Sequence, residues 1–283
     1  MRSNLIGLVT TVAFLTISAS AQLEPYVQTL ERGDMEQRRN ALASVRNLRT
    51  EAASRIAIPA LKDPNNLVRA TAASSVVFLP SAEAASLLVP MVQDRDEFVR
   101  REAAFALGRV GDPSAAGPLL ELLRREKVIE ARSAAVIALG GCGDISAIGP
   151  LLAILKKRPV EDEEFLRRSA ARSIGRIAQF VRTGTRDVVT PQNFLPERFK
   201  DLKVPAIAER PTRAFQPAVE QLLTVLNSSN EAADTRREAA FALGAIGDPA
   251  ALQSLRANAA SPDPYITEIA HEAVLKIAAA NPN

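Results

Sequence analysis

The sequence contains very few of the side chains that perform nucleophilic catalysis or bind transition metals. His271 is the only histidine and Cys142 the only cysteine among 283 residues. A Ser-His-Asp arrangement would therefore have to use His271, and a Cys-His arrangement would have to use both single residues. Zinc sites built from several His and Cys side chains are excluded by count. The GGCGD segment around Cys142 lacks both the spacing and the following lysine of a phosphate-binding loop. We expect no catalytic residue, no cofactor and no metal site.

Carboxylates are abundant, and the densest cluster is EDEEF at Glu161–Phe165. This cluster opens a predicted helix, where negative charge is favoured by the helix dipole. We interpret it as helix capping, and a hydrolase that uses carboxylates alone is the alternative. Cys142, as a lone cysteine among small residues at a helix end, is expected to be a buried hydrophobic residue.

The composition favours helices and gives no indication of nucleic-acid binding. Alanine is abundant, aromatic residues make up 4% of the chain and tryptophan is absent, which suits close-packed short helices better than a β-sandwich. The net charge is only +3, whereas a nucleic-acid-binding domain needs a clear basic stripe.

The first 21 residues differ from the rest of the chain. A positive charge precedes the uncharged run Leu5–Ile17, and Ala19 and Ala21 form an A-x-A cleavage pattern before Gln22. Thirteen residues are too few to span a bilayer comfortably. The sequence therefore predicts a cleaved signal peptide, export to the periplasm or the extracellular space, and no stable membrane span after cleavage. An uncleaved anchor is the alternative.

A fourteen-residue segment occurs twice in the chain. RREAAFALGRVGDP at 100–113 recurs as RREAAFALGAIGDP at 236–249, with twelve positions identical. Equivalent glycines recur at intervals of 32, 35 and 69 residues, at Gly108, Gly140, Gly175 and Gly244. A period of 31–35 residues is typical of a repeat built from two helices.

Each repeat is predicted to contain a first helix, a polar turn and a second helix. In the segment 97–110 the apolar residues follow the 3.6-residue period of a helix, at Val99, Ala103, Ala106, Leu107 and Val110. First helices are predicted at segments such as 114–123 and 145–157. Seven second helices are predicted, near residues 37–48, 66–79, 97–110, 129–141, 163–180, 232–246 and 264–279.

Small residues recur on one face of the second helices. Ala104, Ala171 and Ala240 share this face with the recurring glycines. Glycine inside a helix is less favourable than alanine by about 1 kcal/mol, so its recurrence needs a packing reason. We predict that the missing side chains let neighbouring second helices approach closely.

The pattern V-R-x-x-A-A-x-A-L-G-x-I-G-D-P resembles the HEAT repeats of the phycobilin-lyase-like subtype. The resemblance covers nearly all of residues 22–283 and is strongest around Gly108, Gly140 and Gly244. It implies an all-α, armadillo-like α-solenoid, a right-handed superhelix of about seven two-helix repeats.

The resemblance also implies a structural ladder of arginines. In this family the arginine that opens the second helix commonly pairs with an aspartate between repeats. The arginine column here is Arg38, Arg69, Arg100, Arg132, Arg167 and Arg236, and Thr267 breaks it. The candidate partners are Asp63, Asp94 or Asp96, and Asp234. Contact with a ligand is the alternative role of these arginines.

Residues 181–213 interrupt the repeat period. This segment contains four prolines and lacks most of the alanine-rich pattern, which favours an irregular insertion over a decayed repeat, with a short helix near 192–202. Long loops on such scaffolds often bind partners. A tolerated surface insertion is the alternative.

The remaining positions of the second helices suggest a binding surface. A solenoid presents a concave surface lined by its second helices, and arginine and aromatic residues dominate protein interfaces. The candidate partner-binding residues are Arg101, Phe105, Ile137, Arg168, Arg172, Arg237 and Phe241. Packing of the recurring phenylalanines on the neighbouring repeat is the alternative.

We therefore expect an exported, non-catalytic scaffold that binds a protein partner on its concave surface. The alternatives are a phycobilin-lyase-like or other enzyme-associated subunit and a structural member of an envelope complex. Similarity of fold does not by itself carry the lyase activity over to this chain.

Overall fold

The computed structural model describes residues 21–186, 194 and 213–281. All regular secondary structure in these residues is α-helix or 3-10 helix, which confirms the all-α prediction. The predicted signal peptide, apart from its last residue, lies outside the described residues. So does the predicted helix near 192–202, apart from residue 194. Within the described part, no helix is long and apolar enough to cross a membrane.

The chain divides into two compact units, residues 1–103 and 104–283. The helices of the first unit are α1 (21–32), α2 (Met35–Leu48), α3 (Glu51–Ala57), α4 (Asn66–Ser75), α5 (Ser81–Leu88) and the first half of α6 (Glu97–Val110). In this unit α2 packs against α3 and α4. Helices α3 and α5 each continue into a 3-10 turn, at Ile58–Lys62 and Val89–Gln93.

The second unit contains the end of α6 and four helical hairpins. Its further helices are α7 (Ala116–Arg125), α8 (Ile129–Cys142), α9 (Ile148–Leu155), α10 (Glu164–Thr183), α11 (Gln216–Asn227), α12 (Ala233–Ile246), α13 (Leu252–Asn258) and α14 (Pro264–Ala280). Each first helix packs on its own second helix, and α8, α10, α12 and α14 pack side by side in that order. This stacking of hairpins is the arrangement of an α-solenoid.

The seven predicted second helices correspond to α2, α4, α6, α8, α10, α12 and α14, which confirms the repeat assignment. One boundary differs by several residues, because α4 ends at Ser75 rather than at 79. Val76 and Leu79 form a turn, and Pro80 follows. A proline inside a helix has no amide hydrogen to donate, and its ring clashes with the carbonyl four residues earlier, which here is that of Val76, so α4 ends before this residue.

The Gly-Asp sequence between second and first helices ends one helix and begins the next. Gly111 and Gly247 have φ of 71° and 78°, the left-handed conformation that glycine adopts without steric cost. The following aspartates, Asp112 and Asp248, accept hydrogen bonds from the amides of Ser114 and Ala250. The repeated GDP sequence therefore specifies a tight connection between hairpins.

The recurring glycines lie where neighbouring second helices touch, which confirms the packing prediction. A Cβ atom at Gly108 would lie 2.7 Å from the Cα of Ala138, and one at Gly140 would lie 2.6 Å from Ser173 Oγ. At Gly244 it would lie 2.6 Å from the Cβ of Ala273. These contacts leave no room for a side chain at the crossing points.

Helix α10 packs directly on α12, although 49 residues separate the end of one from the start of the other. Helix α9 likewise contacts α11. The intervening residues 187–193 and 195–212 lie outside the described residues. If the residues between α10 and α11 are an insertion, the hairpins on its two sides should contact each other directly, and they do. The interpretation of residues 181–213 as an insertion and not a decayed repeat stays a prediction.

Candidate protein-binding surface

The side chains with nucleophilic or metal-binding chemistry lie far apart in the chain and differ in exposure. Cys142 is fully buried in α8, and burial raises the pKa of its thiol to about 12. His271 is exposed on α14, and its neighbour Glu272 pairs with Lys276 at 2.5 Å. No group of three or more His, Cys, Asp and Glu residues in the described part of the chain could hold a metal ion.

In the first unit, arginines of the predicted ladder pair with aspartates. Arg38 lies 2.9 Å from Asp63, and Arg69 lies 2.8 Å from Asp94. Burial raises the pKa of Asp94, but hydrogen bonds from Arg69 and from a backbone amide outweigh burial and lower that pKa overall. Asp94 is thus the partner of Arg69, whereas Asp96 begins α6 by accepting hydrogen bonds from backbone amides.

The ladder arginines Arg100 and Arg236 donate hydrogen bonds to backbone carbonyls. Arg100 donates to the carbonyls of Asp94 and Arg95, at 3.0 Å and 3.2 Å. Arg236 donates to the carbonyl of Leu226 at 2.9 Å and to the side chain of Asn258 at 3.3 Å.

The expectation that Asp234 belongs to the arginine ladder is wrong. It lies two positions before Arg236 on the same helix, and side chains at this spacing point in different directions. Asp234 instead pairs with Arg168 and Arg237, as described below.

Two further ladder arginines pair with glutamates. Arg132 lies 3.5 Å from Glu163, which belongs to the EDEEF cluster, so one of those carboxylates has a structural partner. Arg167 lies 2.6 Å from Glu231, and both side chains are almost completely buried. The longer side chain of glutamate replaces aspartate at these two positions.

Arg167 satisfies all of its hydrogen-bond donors. Its guanidinium makes two hydrogen bonds to Glu231 and three to the carbonyls of Ile154, Leu155 and Lys157. These carbonyls lie at the C-terminal end of α9, where a cation interacts favourably with unpaired backbone oxygens. Arg167 therefore holds α9, α10 and the loop before α12 together.

A surface of charged and aromatic side chains is formed by the N-terminal halves of α10, α12 and α14. We call it the second-helix surface, and it comprises Phe165, Arg168, Arg172, Asp234, Arg237, Glu238, Asp263 and Tyr265. All of these residues belong to the second unit.

Ion pairs connect the three helices of this surface. Arg168 of α10 lies 2.6 Å from Asp234 of α12, which also lies 2.5 Å from Arg237. Arg237 in turn lies 2.9 Å from Asp263, the N-cap residue of α14. Burial raises the pKa of Asp263, but the hydrogen bonds from Arg237 and from two backbone amides lower it overall. The arginines of the surface are thus held in fixed positions.

A second connection between α10 and α12 joins Arg172 to Glu238 at 2.7 Å. Burial is the largest influence on the Glu238 carboxyl, and it raises the pKa even though Arg172 opposes this shift. Glu238 is 17% exposed and Arg172 is 45% exposed, so the arginine is the accessible member of this pair.

Aromatic rings lie beneath or beside the arginines. The guanidinium of Arg168 lies 5.0 Å from the centre of the Phe165 ring, and that of Arg237 lies 4.8 Å from the Tyr265 ring. Phe194 approaches Tyr265 edge-on, with ring centres 5.0 Å apart. Phe165, Phe194 and Tyr265 are each about half exposed, at 48%, 49% and 50%. Cations and aromatic faces at these distances attract each other.

The structure brings three of the predicted binding residues onto this surface, Arg168, Arg172 and Arg237. The prediction for Phe241 is wrong, because this side chain is 3% exposed. Its ring fills the space opposite Gly175, where a Cβ atom would lie 2.5 Å from Cε1. The glycine provides room for the phenylalanine, so packing on the neighbouring repeat is the correct interpretation here.

The other predicted binding residues lie elsewhere. Arg101 is in the first unit, where it pairs with Glu102 at 3.1 Å and covers the ring of Phe98 at 4.6 Å. Phe105 and Ile137 are in the second unit and are half-buried.

Sequence reasoning missed the exposed aromatic residues and the acidic partners of the surface. A signal was present, because a phenylalanine stands three residues before an arginine at Phe98 and Arg101 and again at Phe165 and Arg168. Residues three apart on a helix are neighbours, so this spacing places a ring beneath a guanidinium.

Two arginines cap the C-terminal ends of neighbouring second helices. Arg182 donates to the carbonyl of Ala245 at 2.7 Å, and burial lowers its pKa to about 10. Arg186 donates to the carbonyls of Gly141 and Gly111, at 2.9 Å and 2.8 Å. These contacts hold the C-terminal end of α10 in place, whereas the second-helix surface is formed by its N-terminal half.

Several solved structures have a similar fold. The complex of CpcE and CpcF of phycocyanin lyase from Nostoc sp. has a TM-score of 0.53 and 21% identity, covering 92% of this chain and 94% of that chain. An engineered protein has a TM-score of 0.54 and 19% identity, covering 92% and 69%. A designed armadillo repeat protein in complex with the peptide (KR)4 has a TM-score of 0.50 and 17% identity, covering 90% and 99%. These similarities establish the fold.

No curated protein sequence matches the chain significantly. The model of HEAT repeats matches the sequence four times in overlapping segments, at residues 23–107, 54–140, 91–175 and 195–276. Together these matches cover most of the chain, and they agree with the observed hairpins and with the resemblance to the lyase-like subtype. The chain belongs to the HEAT-repeat family.

Proposed function

We propose that this chain is a scaffold or adaptor that binds a protein partner through the second-helix surface and has no catalytic role. The observation that supports this proposal is the pair of half-exposed rings, Phe165 and Tyr265, each covered by an arginine. Aromatic residues and arginine are the residue types that contribute most to binding at protein interfaces.

The ion pairs of the surface favour binding by reducing its entropic cost. Arg168 and Arg237 are already held by Asp234 and Asp263 before a partner arrives. Ordering a long, flexible side chain on binding costs about 0.5–1.5 kcal/mol, and a side chain that is already ordered avoids most of this cost. A pre-organised surface of this kind suits recognition of a folded protein or a peptide.

Two similar structures support a protein partner. CpcE and CpcF were solved as a complex with each other, and the designed armadillo repeat protein was solved with a peptide. A HEAT or armadillo scaffold can therefore bind a polypeptide without further domains.

An affinity capture tests this proposal. The wild-type protein and the double variant Phe165→Ser, Tyr265→Ser are immobilised and exposed to the envelope fraction of the source cells. The control is Ile145→Ser, because Ile145 is equally exposed, at 48%, but lies outside the surface. We expect one partner to be retained by the wild type and the control and lost by the double variant. Equal retention by all three proteins refutes the proposed surface.

We also propose that the protein acts outside the cytoplasm after removal of residues 1–21. The support is the sequence pattern of Leu5–Ile17 followed by Ala19 and Ala21. Mass spectrometry of the protein isolated from its source is expected to show an N-terminus at Gln22. A mass that retains the whole apolar run contradicts this proposal.

The non-catalytic proposal is distinguished from a lyase-like role by an absorption spectrum. Protein purified from its source is expected to show no visible absorption band, because a scaffold has no need of a chromophore. A stable visible band would favour the lyase-like alternative instead.

A further inference from the structure

The first helices of the second unit form a separate groove. It has a volume of about 480 Å³ and lies between α7 and α9. On α7 it is lined by Gly117, Leu120, Glu121, Leu123 and Arg124, and Arg132 of α8 also lines it. Gly117, Leu120 and Arg124 stand at positions i, i+3 and i+7 of α7. Residues at this spacing lie along one helical face. None of these residues belongs to the second-helix surface.

The side of the groove on α9 is lined by Pro150, Ala153 and Ile154, at positions i, i+3 and i+4 of the helix. Lys157 also lines this side and lies two residues beyond the end of α9. On α7 the lining extends over about 10 Å, or roughly two helical turns. On both sides of the groove, uncharged residues lie at the N-terminal end and a cation lies at the C-terminal end.

Gly117 opens the uncharged end of the groove, and packing within the protein does not require it. A Cβ atom at this position would meet no atom within 4 Å apart from its chain neighbours and the backbone of its own helix. Gly117 precedes a proline, but Ile58 and Val89 also precede prolines in equivalent first helices and adopt ordinary helical dihedrals. A larger residue is therefore compatible with the backbone, and glycine has the effect of leaving the groove open.

The cationic end of the groove is available to an acidic partner. Lys157 is exposed and forms no ion pair within the described part of the chain, and it lies between exposed Lys156 and Arg158. Arg124 pairs with Glu121, but these side chains are 74% and 50% exposed. Exposed ion pairs of this kind contribute little to stability and are easily exchanged.

We propose that the groove binds an acidic amphipathic segment of a partner protein. Its apolar side chains lie between Leu120 on α7 and the exposed Pro150 and Ala153 on α9, and its carboxylates contact Lys157 and Arg124. Three cations and one carboxylate line the groove, so its net positive charge favours an acidic segment over a basic one. The two facing helices suit a short helix that presents apolar residues at i, i+3 and i+4.

The test uses two fluorescent model peptides with leucine at helical spacing, one with glutamate and one with lysine at the remaining positions. Binding to the full chain is measured by fluorescence anisotropy. The variant Lys157→Glu reverses one charge of the groove. The control Lys62→Glu makes the same change at an exposed lysine at the end of a first helix in the first unit.

We expect the acidic peptide to bind and the basic peptide to bind at least roughly tenfold more weakly. The dissociation constant of the acidic peptide should rise roughly tenfold in Lys157→Glu and change less than about twofold in Lys62→Glu, because the reversed charge in the groove repels the carboxylates of the peptide instead of attracting them. Equal binding of both peptides, equal weakening by both variants, or no binding of the acidic peptide overturns the proposal. The second-helix surface is unaffected by these variants, so failure here leaves the proposed function intact.

Discussion

Arg167 and Glu231 form a buried ion pair at 2.6 Å, although they are 64 residues apart in the sequence. Arg167 lies on α10, and Glu231 lies in the loop before α12. The pair thus joins the hairpins on the two sides of residues 187–212. Because the two side chains are only 2% and 3% exposed, they are screened little by solvent. This contact fixes the register in which the repeat resumes after the interruption.

We predict that Glu231→Ala strongly destabilises the protein. The substitution leaves the buried Arg167 without its carboxylate, and removal of one partner from a buried pair costs about 3–5 kcal/mol. Urea unfolding followed by circular dichroism measures the free energy of unfolding. The control Glu121→Ala removes an exposed partner from Arg124 and should leave the unfolding midpoint unchanged. A loss below about 1 kcal/mol for Glu231→Ala would contradict this role for the pair.

Two glycine substitutions should differ in their effect on stability. In Gly175→Ala the new Cβ would lie 2.5 Å from the ring of Phe241, so we expect a loss of about 1–3 kcal/mol from overpacking. In Gly149→Ala the Cβ meets nothing within 4 Å apart from its chain neighbours and the backbone of its own helix, and the higher helix propensity of alanine should leave stability equal or raise it. Thermal unfolding of both variants tests this contrast. Equal effects would show that close packing is not what requires Gly175.

The arrangement of helices was predictable because the repeat places the same constraint on the sequence many times. Gly108 and Gly244 occupy equivalent positions, and each requires a close approach to a neighbouring helix. Periodic small and apolar residues therefore located the second helices within a few residues. The end of α4 was less predictable, because Pro80 acts only on its own repeat.

The binding surface was only partly predictable, because equivalent positions in the repeat have different neighbours. Phe105 is half-buried whereas the equivalent Phe241 is buried, since Phe241 faces Gly175 across the interrupted part of the sequence. No local pattern specifies that contact. The partners of Arg168 and Arg172 are also 66 residues away, beyond the range of periodicity arguments.

We predict that Asp94→Asn destabilises the first unit at neutral pH but has a smaller effect in acid. Burial raises the pKa of Asp94, but hydrogen bonds from Arg69 and from a backbone amide, together with the nearby arginine charges, lower it below its ordinary value of 3.8 in the folded protein. The carboxylate therefore adds stability above about pH 4, and this contribution is lost as the pH falls through the folded pKa.

Urea unfolding of the wild type and Asp94→Asn at pH 7 and at pH 3 measures this difference. Asp162→Asn is the control, because Asp162 is exposed and forms no ion pair within the described residues. A difference between wild type and Asp94→Asn that is the same at both pH values would show that the ion pair with Arg69 is not its source.

Cys142 should make the protein less stable in mild alkali. Burial raises the pKa of this thiol from its ordinary value of 9.0 to about 12, so the unfolded chain loses its thiol proton first. The stability due to the neutral thiol is complete below about pH 9 and is lost as the pH rises towards 12. The loss reaches about 1.4 kcal/mol at pH 10.

The variant Cys142→Ala lacks the titrating group, so its stability should decline less between pH 8 and pH 10. Comparison of the urea midpoints of the two proteins at both pH values is the measurement. Parallel declines would indicate that another group causes the alkaline loss of stability.

Hydrogen–deuterium exchange of the protein with and without its captured partner tests the central claim most directly. If the second-helix surface binds the partner, amide protection should increase in the first turns of α10, α12 and α14, around Phe165, Asp234 and Tyr265. Protection confined to other helices, or no change on binding, would contradict the assignment of this surface as the site of partner binding.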